Sequence, residues 1–205
     1  NTTGGEYMKT GKTVKVLLTA ATAAGMLAGC GSKTDTDTFR FASELDIQGM
    51  DSTVVDDGMS FNAIHAITDG LTAVNEKGKT APAIAKSWDV SDDGKTYTFH
   101  LRDAKWTNGD KVTANDFVYS WRKIIKDAGN YAYMLGSGGA SVKNADALME
   151  LGANATDEQM ATLGVTAKDD QTLVVELENK VPYFTDLMAF PCYFPQNEKF
   201  VEKCG

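Results

Sequence analysis

The chain has 205 residues, 42% of them hydrophobic and 23% charged, a globular balance that argues against a disordered, collagen-like or coiled-coil chain. Twenty basic and 28 acidic side chains leave a net charge of −8, and without a basic run in the body nucleic acid is not expected as a partner. Two histidines and three scattered cysteines leave little material for a zinc site, so no metal or other cofactor is expected.

Residues 1–7 precede the first Met, Met8. Gly4-Gly5-Glu6 requires codons that read as a ribosome-binding sequence, so this stretch is taken as translated upstream DNA. Residues 8–29 read as an export signal. Lys9, Lys12 and Lys15 form a basic region, and Val16 to Leu27 is apolar or small throughout. At about 1.5 Å per residue that core is too short to span a bilayer as a helix, but it suits a signal peptide. Leu27-Ala28-Gly29-Cys30 then resembles a bacterial lipobox, in which the cysteine is diacylated and becomes the first residue after cleavage. An ordinary signal peptide ending near a cysteine is the bland alternative; basic region, core and lipobox in this order favour lipidation at Cys30. Two acyl chains suffice for stable anchoring, each buried CH₂ contributing about 0.8 kcal/mol. Residues 30–38, rich in Gly, Ser, Thr and Asp, read as a flexible tether.

Phe39-Arg40-Phe41-Ala42 alternates and predicts a first strand. Phe61, Ile64, Ile67 and Leu71 make a helical stripe over 60–71, with Ser60 as N-cap. Trp88 to Leu101 predicts a hairpin turning at Asp92-Asp93-Gly94. Thr113 and Asp116 cap a second helix whose buried stripe is Phe117, Val118, Trp121, Ile124 and Ile125. Thr156 to Gln159 is another capping box, opening a short helix that Gly164 ends. Leu173, Val175 and Leu177 alternate as a strand. The run Val90 to Thr96 is echoed by Ala167 to Thr172, each with an Asp-Asp turn, which predicts two similar hairpins in one antiparallel sheet. From Val181 to Phe200, Pro182, Pro191 and Pro195 break up an apolar, aromatic stretch that exposes apolar surface unless something covers it. The chain ends at Cys204-Gly205 without a closing element, which suggests truncation.

Chemical motifs are few. Gly136-Ser137-Gly138-Gly139 lacks the Lys-Ser/Thr of a phosphate loop and reads as a flexible turn. There is no Gly-x-Ser-x-Gly elbow. His65 reads as partly exposed packing and His100 as the polar face of a strand; neither points to a hydrolase triad. Cys192 and Cys204 either pair or stay as lone thiols. The paired aspartates lack the spacing of a calcium loop and suit turns. Trp88, Trp106 and Trp121 suit core packing better than a sugar platform. The residues alone describe an exported, tethered α+β protein without catalytic machinery, which favours binding over catalysis.

The run Ala81-Pro82-Ala83-Ile84-Ala85-Lys86-Ser87-Trp88, followed by Asp92 to Arg102, Trp106, Gly109 and Val112 to Trp121, resembles the extracellular solute-binding proteins of family 5, the peptide-binding components of ABC importers. Tyr131-Ala132, Gly164-Val165, Asp169-Asp170, Leu173 and Val181 to Phe184 extend the resemblance over nearly all of 39–200, and the oligopeptide-binding branch is the most similar.

The resemblance implies a type II periplasmic-binding-protein-like fold, peptide-binding class, α+β, in which two lobes close on a ligand and a third domain is set into the first lobe. Residues 39–68 would start the first lobe, 69–193 would be the inserted small domain and 194–205 would return to the first lobe; the other ligand-binding lobe would lie outside this chain. The implied function is non-enzymatic. An extended oligopeptide pairs its main chain with the protein like an added strand, and lobe closure presents it to an ABC permease and its ATPase. The protein would act as a monomer on the outer face of the cytoplasmic membrane. Carried over residue by residue, the loop that meets peptide backbone falls at Asp56, Asp57, Gly58 and Met59, where glycine permits close approach. The ligand-contacting tyrosine falls at Tyr131. The bland alternatives are a solvated turn for 56–59 and packing for Tyr131. Specialists for dipeptide, nickel chelate or oligosaccharide share this scaffold, and a surface pheromone sensor or adhesin is the rival outside transport.

Overall fold

The computed structural model describes residues 42–43 and 45–204. The export signal, Cys30, the tether and all of the expected first strand except Ala42 lie outside the described residues. One compact unit begins at Ser43 and runs to the C-terminus.

Helix α1 spans Gly58–Ile67. Its N-cap is Asp57, not Ser60: the Asp57 backbone is extended and its Oδ1 accepts the Ser60 N–H at 2.8 Å. Ser60 is buried within the helix, where its hydroxyl oxygen accepts the N–H groups of Gln48 and Gly49 at 3.0 and 3.2 Å. The helix also stops before Leu71. Thr68 is extended, and the backbone of Gly70 and Leu71 is engaged instead by the N–H groups of Ala83, Ile84 and Ala85. Ile67 is left exposed, while Leu71 is buried outside the helix.

Strands β1 (Thr72–Val74) and β2 (Thr80–Pro82) form a small antiparallel ribbon. The main sheet contains β3 (Ala85–Val90), β4 (Thr96–Leu101), β5 (Val165–Asp169) and β6 (Thr172–Glu176), all antiparallel in the order β3-β4-β6-β5. Both echoed hairpins therefore share one sheet, as their sequences suggest. In the first turn Gly94 sits at φ +70°, and Asp93 accepts from the Ser91 hydroxyl and the Lys95 N–H. Tyr97 pairs with Val175 and Phe99 with Leu173, so period-two alternation buries these four on one face. On the other face His100 pairs with Asp89 at 2.8 Å.

Helix α2 (Ala114–Lys126) packs on β5 with Phe117, Trp121, Ile124 and Ile125 buried. Asp116 accepts the Thr113 N–H at 2.7 Å, as its capping spacing predicts. Helices α3 (Ala145–Leu151) and α4 (Asp157–Met160) follow, the latter opened by the Thr156–Gln159 box. The Gly136–Gly139 stretch is a turn, but not a loosely packed one. Gly136 is buried against Asp146 and Met149, and Gly139 against the Met134 backbone.

The proline-broken segment, which exposes apolar surface unless something covers it, is covered over much of its length, while Tyr183 and Phe200 stay about half exposed. Val181, Phe184, Met188, Cys192, Tyr193 and Phe194 are buried around α5 (Phe184–Leu187). Prolines deny this segment a regular ladder, so side chains satisfy its carbonyls. Trp121 Nε1 donates to Tyr193 O at 3.0 Å and Ser120 Oγ to Phe194 O at 2.7 Å. Helix α6 (Glu198–Cys204) closes the described chain. Cys192 and Cys204 are both free, the first buried and the second exposed, so they do not pair.

Candidate functional site

The five expected binding residues lie on two segments that sequence separates by some seventy positions. Asp56 is exposed and precedes α1; Asp57 caps it; Gly58 and Met59 form its first turn rather than a loop. A Cβ placed on Gly58 would meet nothing within 4 Å, so the space above that backbone is open. Hydrogen bonds from Ser60 hold the Asp57 carboxyl below its usual range. Its second oxygen, Oδ2, is shielded from solvent and has no hydrogen-bond partner among the described residues.

Tyr131 reaches this segment because of how α2 ends. Ala128 adopts a left-handed conformation, φ +49°, and the Gly129 N–H closes on Ile124 O at 2.9 Å. Gly129 then lies against the Thr53 carbonyl and the Ile124 side chain with no room for a Cβ. The following residue, Asn130, donates from Nδ2 to Asp56 Oδ2 at 2.6 Å. Tyr131 follows, its ring edge-on to Phe61 of α1 at 5.2 Å, tilted on Phe190 at 5.3 Å and stacked with Tyr133 at 6.0 Å. Tyr133 is half exposed. The structure thus brings all five residues to one region, with Tyr131 packed among aromatics.

Behind them is a polar network that sequence reading did not find. The turn at 51–55 closes on Asp51, whose Oδ1 accepts the Thr53 N–H at 2.9 Å and the Thr53 hydroxyl at 2.7 Å. Asp51 Oδ2 accepts from Lys123 Nζ at 2.8 Å. Lys123 also donates to Thr53 Oγ1 at 2.8 Å and Asp127 Oδ2 at 2.7 Å, using all three ammonium protons. Gln196 Nε2 donates to Asp51 Oδ1 at 2.6 Å and Ser52 Oγ at 3.2 Å. Burial pushes the Asp51 carboxyl up, but the bonds from Lys123, Thr53 and Gln196 outweigh it and bring it down to about 2. Burial likewise opposes the Lys123 ammonium, and Asp127 and Asp51 outweigh it and push it up. The Asp51–Thr53 turn and the Lys123–Asp127 pair, four apart on one helix face, have local signatures. The other partners of Asp51 lie 72 and 145 positions away, beyond any local pattern.

An open concavity of about 820 Å³ adjoins this network through Lys123 and is lined also by Tyr119, Arg122, Lys126, Asp157 and Lys199, among others. It contains none of the five residues. Among the described residues no cluster of His, Cys, Asp and Glu has the makings of a metal site. No helix of the described residues is long and apolar enough to cross a membrane.

Residues 79–203 match the family described as bacterial extracellular solute-binding proteins, family 5, middle region. The dipeptide-binding protein of Lactococcus lactis is 39% identical over 202 residues, covering 97% of this chain and 35% of that protein. The substrate-binding domain of an oligopeptide ABC transporter from Bacillus anthracis superposes with a TM-score of 0.73 at 41% identity, covering 80% of this chain and 31% of that one. The oligopeptide-binding protein of Listeria monocytogenes, solved with bound peptide, gives a TM-score of 0.69 at 40% identity over 76% of this chain and 30% of that one. The chain therefore spans about a third of the length of the proteins it matches.

Proposed function

The chain belongs to the bacterial extracellular solute-binding proteins of family 5, and from that premise we propose that it is part of a lipoprotein that captures extracellular oligopeptides for an ABC importer. Cys30 carries the lipid, residues 8–29 direct export, and the mature protein sits as a monomer on the outer face of the cytoplasmic membrane. It delivers peptide to a permease and its ATPase and performs no catalysis of its own. Residues 39–68 and 194–205 belong to the first lobe, and 69–193 form the inserted small domain.

The observation that carries the binding reading is the junction of the 56–59 segment with Tyr131 through the 2.6 Å Asn130–Asp56 bond. Open space over Gly58 admits a ligand main chain. Tyr131 and the half-exposed Tyr133 offer aromatic surface beside it. The similarity to a dipeptide-binding protein over 97% of this chain favours dipeptides as the second reading.

The test is to incubate the full-length protein with a synthetic peptide library running from dipeptides to decapeptides and identify bound species by mass. Capture of longer peptides is expected, with little preference for sequence. Capture of dipeptides alone would select the second reading. Capture only of a metal chelate or a glycan would overturn both. Lipidation is checked separately: globomycin is expected to block precursor cleavage, and unchanged processing would remove Cys30 from the account.

A further inference from the structure

The segment that would meet the ligand is not held in place by apolar burial. Between residues 51 and 57 only Ser52 and Thr53 are buried, and both are polar. Val54 is 53% exposed, and Asp56 lies at the surface. The shape of this turn therefore depends on hydrogen bonds to groups outside it. At its end, Asp57 is held by the Ser60 and Phe61 N–H groups of α1; over 51–56, among the described residues, the side-chain bonds from outside the turn come from Gln196, Asn130 and Lys123. Lys123 is placed differently from the other two. Its ammonium bridges Asp51 and Thr53, tying the start of the turn to its middle. Its third bond, to Asp127, anchors it at the C-cap of α2, whose other face is buried against the sheet. The side chain is 15% exposed, so water competes poorly for these bonds.

We propose that Lys123 is a positioning residue for ligand capture: it clamps the 51–57 turn so that Asp56, Asp57 and Gly58 are presented to the ligand already ordered. This rests on the reading that the ligand meets the 56–59 segment. Lys123 itself touches none of Asp56 to Met59 through a hydrogen bond in the structure; its effect is transmitted along the turn it ties down. A binding segment ordered in advance loses less conformational entropy when the ligand arrives, so affinity rises without any new contact. Loss of the clamp should weaken binding without altering the chemistry of the contacting residues.

The variant is Lys123→Met in the full-length protein, read in two ways. In the ligand-free protein, hydrogen exchange at the amides of Thr53, Val54 and Val55, all bonded to Asp51, should quicken by about tenfold or more, while β4 and β6 keep their protection. Affinity for a synthetic pool of tri- to hexapeptides should fall by about tenfold, as expected when preorganisation is lost. Lys123→Arg, which keeps the charge, should recover part of both losses. Unchanged exchange at residues 53–55 would overturn the proposal. So would faster exchange there with affinity unaltered. If Lys123→Met also loosens β4 and β6, Lys123→Arg decides the matter on the same two measurements. If the unaltered protein captures no peptide while exchange at 53–55 still depends on Lys123, the ligand reading falls and the clamp remains as a device of the fold.

Discussion

Tyr131 touches Phe61, Phe190 and Tyr133, so replacing it disturbs packing as well as any ligand contact. In the full-length protein Tyr131→Ala is expected to weaken peptide binding by about 1–2 kcal/mol, the loss of one aromatic contact. Tyr131→Phe keeps the ring contacts and should leave the thermal midpoint in place. Unchanged affinity in Tyr131→Ala would assign the residue to packing alone. Cys192 lies at the other extreme of exposure, buried so deeply that its thiol is pushed far up, whereas Cys204 is exposed. A thiol reagent should titrate Cys204 in the native protein and reach Cys192 only after unfolding; prompt reaction at Cys192 would contradict the packing of the 181–194 segment. Sequence left pairing and lone thiols equally open, because spacing along a chain says nothing of the separation between two side chains.

Hairpins and capped helices follow from local rules, which hold for the two hairpins and for the starts of α2 and α4, whereas α4 ends at Met160 and not at Gly164. The Asp-Asp turns, the Tyr97/Phe99 alternation and the Thr113 and Thr156 boxes were all legible because each needs only neighbours within a few residues. The start of α1 was misplaced for an instructive reason. Asp57 and Ser60 are both good caps, and Ser60 is taken into the helix because its hydroxyl serves the backbone of Gln48 and Gly49. The turn before α1 adds a pH signature. Asp51 has a folded pKa of about 2 against an ordinary value of 3.8, so it contributes stability above pH 4 that is lost as pH falls through 2. Because the carboxylate is 41% exposed, solvent screening reduces that contribution to about 1 kcal/mol. Urea unfolding at pH 4.5 and pH 2 should show Asp51→Asn losing less stability between the two than the unaltered protein. Equal losses would mean that ionised Asp51, with its bonds from Lys123, Thr53 and Gln196 together, contributes nothing net.

Residues from three parts of the chain meet at the candidate site: the 51–59 turn, the end of α2 and Gln196. All three fall within one compact unit. The segment from 43 onward is accordingly expected to unfold in a single transition, with tryptophan fluorescence and far-ultraviolet dichroism coinciding. It should nevertheless capture peptide far more weakly than the full-length protein, because a cleft needs both of its walls. Tight binding by residues 30–205 alone would show that the ligand site is divided differently between the lobes.

The α+β class, the two hairpins of the main sheet and helices α2 and α4 are legible in the amino-acid order, since they rest on periodicity, capping and turn chemistry within short windows; β1, β2, α3, α5 and α6 carry no such local signature. The long ungapped run from Ala81 to Trp121 carries the family likeness in the same local way. Three features depended on the folded chain. The apolar stretch around Pro191 became core because Trp121 and Ser120 satisfy its carbonyls. Asp56 and Tyr131 became neighbours because a left-handed Ala128 and a Cβ-free Gly129 turn the chain back on Thr53. Lys123 became the tie between Asp51 and Thr53 because burial around α2 holds its ammonium beside them. Each is a contact between residues distant in sequence, and such contacts are selected by the packing of the whole core rather than by any pattern along the chain.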